Sequence, residues 1–208
     1  MQNSIITSYE DIYLGASKLF KIESKFLDAV STCDLPKLRI AETGFEGLFK
    51  IIVSQQLSTA AASSIWKRLT DNQLNQARSI LKEDDDNLRR LGLSRTKIAY
   101  VKGLALADID YDSFFKKSDT EIINELIALK GVGLWSAQIY LIFSLRRSDI
   151  FAPGDLALRE GARILFNMTK RPSFSELDFL SKRWTPFRTI AAMIIWKYYE
   201  SVKNLREY

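Results

Sequence analysis

Two stretches of this chain hold residue types whose spacing could do chemistry. In LKGVGLWSAQIYLIF, Leu129 to Phe143, two glycines bracket Val132 at the mouth of a helical run. Glycine is tolerated where φ must be positive or where another molecule must approach the backbone. Gly131 is placed to end the preceding helix in the left-handed conformation. Gly133 then leaves the N–H groups of residues 133–136 uncovered at the start of the next helix. Bare N–H groups together with the helix dipole favour an anion, and phosphate fits. Gly131, Gly133, Ser136 and the adjoining Lys130 are therefore the phosphate-binding candidates, with a tight ligand-free turn as the alternative. In PGDLALREGARIL a single carboxylate, Asp155, follows a Pro-Gly turn and precedes a helix. It is either an N-cap or a carboxylate poised to react.

What the chain lacks narrows that chemistry. There is no histidine among the 208 residues, which excludes a Ser–His–Asp triad and a histidine-ligated metalloprotease. A general base must be Asp, Glu, Lys or Tyr. The lone Cys33 excludes a disulfide framework and a four-cysteine zinc or iron–sulfur site. The net charge of +5 suits a polyanionic partner without requiring one. Glu10 and Asp11 interrupt the N-terminal stretch, so it does not read as a signal peptide, and no run reaches the roughly 18 apolar residues of a membrane span. The expected location is the cytoplasm, associated with the nucleoid if the source is bacterial.

The elements that must position these residues are helical. Apolar residues recur at helix spacing, only four prolines interrupt them, and no alternating run reads as a strand. The pattern predicts one or two helices over Tyr9–Val30, a connector at PKLRIAETG, and a helix carrying Phe45, Leu48, Phe49, Ile52 and Val53 on one face. It predicts further helices over Thr59–Leu69, through RTKIAYVKGLALA, over Thr120–Ala128, through the hairpin run, and over PFRTIAAMIIWKYYESV. The acidic run at 82–87 reads as a solvated helix cap.

Taken in order, these segments resemble the helix-hairpin-helix DNA glycosylase superfamily, and within it the DNA-3-methyladenine glycosylase II family. The resemblance rests on GFEGLFKIIVSQQLSTAAA, LGLSRTKIAYVKGLA, LKGVGLWSA, the Pro-Gly-Asp loop and RWTPFRTIAAMIIW, spanning about Gly44 to Trp196. It implies an all-α, two-lobed fold with the active site in a cleft between the lobes. Residues 45–145 would form the central lobe with the hairpin, and 1–44 with 146–208 the second lobe carrying the Asp loop.

The resemblance also implies roles. A glycosylase flips the nucleotide out of the stack and fills the gap it leaves. Here the wedge would be Gln56, with Leu57 and Gln55 as alternatives; a capped helix end is the bland reading of the same residues. Asp155 would face the positive charge that develops on the sugar and orient the attacking water. Trp196 would stack on the lesion base and Trp135 would wall the pocket, both being otherwise ordinary core residues. The family carries another aromatic one turn past Trp135; this chain has Ile139 there, and the adjacent Tyr140 is the remaining base-pocket candidate. Bifunctional relatives carry a lysine where this chain has Trp135, so base release without strand cleavage is implied. Gly154 stands where some relatives have a second Asp. Arg188 could hold the loop carboxylate or a phosphate, and Lys97 and Lys102 could contact phosphate or simply be solvated. No cofactor is implied, although the carbonyls of Ile127, Leu129 and Val132 match those that hold a monovalent cation, Na+ or K+, in the family. The implied partner is double-stranded DNA with alkylated bases, bound by a monomer. The rival readings are a non-catalytic helix-hairpin-helix lesion binder, a uracil or oxidised-purine glycosylase, and an unrelated helical interaction module.

Overall fold

A computed structural model of the chain describes residues 4–206, with side chains to residue 203. Among the described residues the structure is helical, and its only β-feature is a single bridge between Ile5 and Arg147. The α-helices are α1 (Tyr9–Ile22), α2 (Lys25–Cys33), α3 (Gly44–Ser54), α4 (Thr59–Asp71), α5 (Ala77–Lys82), α6 (Asp85–Arg90), α7 (Arg95–Leu106), α8 (Asp119–Ile127), α9 (Leu134–Phe143), α10 (Leu156–Leu165), α11 (Phe174–Ser181) and α12 (Arg188–Arg206). Short 3-10 turns cover Tyr111–Phe115 and Lys182–Trp184. No helix among the described residues is long and apolar enough to cross a membrane.

Local chemistry sets where the helices start. Ser8, Ser118 and Ser173 each form a reciprocal capping box with the acidic residue three positions on, Asp11, Glu121 and Glu176. Each box satisfies two N–H groups that a helix start leaves without an internal partner. In the acidic run, Asp84 caps α6 by accepting from the Asn87 N–H. The Tyr9–Val30 pattern resolves into two helices, broken at Glu23–Ser24.

The chain divides into two compact units. One takes in the chain up to Ile40 and from Leu141 onward; the other is Ala41–Tyr140. The division falls inside α9. In the first unit, α12 packs on α10, α2 and α1. Its core is centred on the fully buried Trp184, which meets Phe26 and Phe151 edge-on and Phe166 face-on at ring separations of 5.1, 5.5 and 5.7 Å. Burying an aromatic or large aliphatic side chain of this kind contributes roughly 1.5–3 kcal/mol. In the second unit, α3 packs on α7 and α4. The predicted α3 face is the one buried: Phe45, Leu48, Phe49, Ile52 and Val53 are all in the core.

Candidate functional site

In the unit Ala41–Tyr140, α8 ends at Ile127 and the chain turns before α9. The Val132 N–H donates to the Leu129 carbonyl at 3.1 Å, closing a four-residue turn with Gly131 third. Gly131 has φ of +91°, the left-handed value that this turn position demands. The sequence placed Gly131 at the end of the preceding helix; the helix stops four residues earlier, and the glycine serves the turn instead. A methyl group on Gly131 would collide with the Tyr100 ring, so the position is closed twice over. Gly133 differs: its φ is ordinary, it is exposed, and nothing lies within 4 Å of where a Cβ would sit. Its smallness is not needed by the fold. It leaves open space beside the first N–H groups of α9, whose first internal bond runs from Ala137 N–H to the Gly133 carbonyl at 3.0 Å. Lys130 is exposed on the same turn.

A second turn lies beside the hairpin. α3 runs out at Ser54, and the Leu57 N–H donates back to the Ser54 carbonyl at 3.2 Å. Gln55 has φ −54° and ψ 130°, and Gln56 has φ +57°. This is again a turn with its third residue left-handed, but here that residue carries a side chain. Gln56 is exposed and Leu57 is 40% exposed. Gln55 faces the other way. Its amide Nε2 donates to the Gly131 carbonyl and to the Ser136 hydroxyl, both at 2.9 Å. Its amide is therefore engaged with the hairpin. Ser136 is 3% exposed, so its side chain braces this joint and does not face a phosphate.

Lys97 completes the joint. Its ammonium donates to the carbonyls of Val53 (2.7 Å) and Gln55 (2.8 Å), closing off the C-terminal end of α3, and burial holds its pKa below the ordinary lysine value. Lys102 is engaged by the Glu83 carbonyl and the Asp85 carboxylate. Both lysines are used within the fold, which removes the phosphate role considered for them.

Tyr140 is corrected as well. It has no solvent-exposed surface, and its hydroxyl accepts the Gly44 N–H at 2.8 Å, at the start of α3 where Thr43 supplies no side-chain cap. Burial pushes its pKa up to about 12. A side chain this enclosed has no face to offer a base. Trp135, at the second position of α9, is half-buried, as is Ile139 one turn later.

In the other unit, the loop that ends in Asp155 is fastened to the start of α12. The Thr189 hydroxyl donates to the Arg147 carbonyl at 2.6 Å and accepts the Ile150 N–H at 3.0 Å. Arg188 grips Asp149 with two bonds, of 2.8 and 3.0 Å. It therefore holds a loop carboxylate, but that of Asp149. A Cβ on Gly154 would make only ordinary contacts with Phe174, so the missing second Asp reflects no lack of room.

Asp155 caps α10: its Oδ1 accepts the Leu158 N–H at 2.9 Å. The same oxygen accepts the indole Nε1–H of Trp196 at 3.0 Å, from 41 residues away. Trp196 in turn lies against Phe143, with ring centroids 5.5 Å apart and planes tilted by 31°. The Arg39 guanidinium stands over Phe143 at 5.1 Å from its centroid. Phe143 and Arg39 were not singled out by sequence reasoning. Phe143 had a signal, being the next aromatic one turn beyond Ile139; Arg39 sits in an unpatterned connector and had none. Of the predicted site residues, the structure joins Asp155 with Trp196, and Gln55 with Gly131 and Ser136.

Comparison with known proteins bears on these parts together. The family model described as "HhH-GPD superfamily base excision DNA repair protein" matches residues 49–187. The chain is 33% identical over 162 residues to DNA-3-methyladenine glycosylase 1 of Schizosaccharomyces pombe, covering 74% of this chain and 71% of that protein. Among solved structures it is similar to a DNA-3-methyladenine glycosidase of Bacillus halodurans, with TM-score 0.77 and 27% identity over 93% of this chain and 92% of the other. It is also similar to a 3-methyladenine DNA glycosylase of S. pombe in complex with abasic DNA, with TM-score 0.76 and 29% identity over 90% and 95% of the two chains.

Proposed function

The chain belongs to the HhH-GPD superfamily of base excision DNA repair proteins, and from that membership we propose that it is a DNA glycosylase that releases alkylated bases of the 3-methyladenine type from duplex DNA. The observation that carries this reading is the Asp155 carboxylate. Among the described residues, six other α-helices are capped by a serine or aspartate side chain. At Asp155 a tryptophan N–H from a distant helix also holds the capping oxygen. Two donors on one oxygen fix the orientation of the carboxylate, which is what a group facing a developing charge requires.

The reaction follows from this chain's own residues. The open backbone beside Gly133 takes a DNA phosphate at the N-terminal end of α9. The Gln56–Leu57 turn enters the duplex, with Gln56 the better plug because an amide fills the gap and bonds the orphaned partner base. The indole of Trp196 meets the flipped base. As the glycosidic bond breaks, positive charge grows on the sugar, and the Asp155 carboxylate stabilises it and orients the water that attacks C1′. The C1′–N bond breaks with its electron pair going to the cationic base, which leaves neutral, while the water oxygen bonds C1′ and its proton passes to the Asp155 carboxylate and on to solvent. Trp135 stands where bifunctional relatives have a lysine, and Lys130 lies on the hairpin turn, so no Schiff base forms and the abasic strand stays intact. The carbonyls of Ile127, Leu129 and Val132 are neutral hard-oxygen donors, which suits a monovalent cation such as Na+ or K+. Held by these carbonyls, such a cation would supply positive charge that favours a DNA phosphate, with no part in the bond-breaking step.

The test is release of free bases from methylated duplex DNA by the natural chain and by Asp155→Asn, which keeps the helix cap. The natural chain is expected to release 3-methyladenine, and the variant to bind DNA with release lowered by a factor on the order of 10² or more. Borohydride is expected to trap no protein–DNA adduct. Binding of abasic-site DNA without release by either protein would leave only a lesion binder.

A further inference from the structure

We propose that Arg39 is a specificity-determining residue that weights the base site toward uncharged lesion bases; this rests on the glycosylase reading above. The aromatic surface next to Asp155 is not a bare electron-rich wall. Trp196 lies on Phe143, and the Arg39 guanidinium stands 5.1 Å from the Phe143 centroid. An aromatic face attracts a cation, and here the Phe143 ring already holds a resident one.

The placement is held by the fold. Arg39 sits in the connector after α2, and the Lys197 ammonium, one residue past Trp196, donates to the Leu35 carbonyl of that connector at 2.9 Å. Pro36 of the same segment is buried. The connector is thereby tied, four residues before Arg39, to the helix that carries Trp196.

A base alkylated on a ring nitrogen, such as 7-methylguanine, arrives with a positive charge. A deaminated base such as hypoxanthine arrives neutral. Both can stack on Trp196, but only the first is repelled by the guanidinium beyond Phe143. A like charge about 10 Å away, past two rings, is worth about three- to tenfold in binding at an effective dielectric between protein surface and water.

The experiment compares kcat/KM for 7-methylguanine and for hypoxanthine, each in the same duplex, using the full chain, Arg39→Gln and Arg39→Lys. Loss of a positive charge weakens DNA binding uniformly, and the ratio of the two substrates cancels that effect. Arg39→Gln is expected to raise the cationic-to-neutral ratio by about three- to tenfold, through KM, and Arg39→Lys to keep the ratio within about twofold of the natural chain, because the charge is retained. An unchanged or lowered ratio in Arg39→Gln overturns the proposal, as does Arg39→Lys behaving like Arg39→Gln. If the natural chain releases neither of these bases nor 3-methyladenine, the glycosylase reading fails and this inference falls with it; if it releases 3-methyladenine but neither of these two, only this inference falls. If it releases both and the ratio does not move, only this inference falls.

Discussion

Gln56 shows how a single residue can be shaped for something other than stability. It occupies the left-handed region at φ +57° in a turn where glycine is the unstrained choice. A side chain there costs roughly 1–2 kcal/mol, while glycine's greater freedom in the unfolded chain costs about 0.5–1 kcal/mol in return. Gln56→Gly is therefore expected to leave thermal stability unchanged or raised by up to about 1.5 kcal/mol. Base release should fall, because the plug is gone. Calorimetry and a base-release assay on one sample separate the two effects; a clear loss of stability would mean that the Gln56 side chain supports the fold.

At the scale of elements, the α8–α9 hairpin uses its two glycines for different ends. Gly131 answers to the backbone and to Tyr100, so Gly131→Ala must both strain a positive φ and displace a ring. The strain alone is worth about 1–3 kcal/mol, and the melting temperature should drop accordingly. Gly133→Ala meets nothing within 4 Å and should melt like the natural chain. Its methyl group instead stands where a phosphate would approach the N–H groups of α9, and duplex affinity should fall about tenfold, the worth of one charge-assisted hydrogen bond. Equal affinity in Gly133→Ala and the natural chain would remove the phosphate from this helix end. The same hairpin is joined to the Gln56 turn by the Gln55 amide, so the element that would grip the backbone and the one that would enter the duplex share a side chain.

At the scale of the whole molecule, the absence of histidine shapes the pH response. No side chain with an ordinary pKa titrates between about pH 5.5 and 8, and the Cys33 thiol is pushed upward by burial. Stability should be flat across that window. On the acid side several carboxylates are held below their usual values by hydrogen bonds. Asp11 is held chiefly by the Thr7 backbone, Glu121 by the Ser118 hydroxyl, Glu160 by Arg163 and then Arg171, and Glu176 by the Ser173 backbone. A carboxyl lowered in the folded state binds fewer protons than in the unfolded chain. Its contribution is complete above the ordinary carboxylate range and is lost as pH falls through the lowered value. Melting temperature measured against pH should hold level to about pH 5 and decline below it; a decline already near pH 6.5 would contradict this account.

What can be read from the residues alone is what local physics decides. The helical period, the serine and aspartate caps, the buried α3 face, the need for a positive φ in the hairpin and the lone Asp155 ahead of a helix all depend on neighbours a few positions apart. The ordered motifs were enough to suggest the family, because each is a short stretch whose residue types are readable in place. The tertiary structure decided which partner each polar group finds. Gln55 reaches Ser136 across 81 positions, Trp196 reaches Asp155 across 41, and Lys97 turns from solvent to the end of α3. Tyr140 and Gln56 could each have faced a base by type alone. Packing closed the first, because its hydroxyl caps α3, and left the second exposed on a turn. The pairing of Arg39 with Phe143 has no sequence signal, since a cation and a ring 104 positions apart meet only when the connector is docked on the helix that carries Trp196.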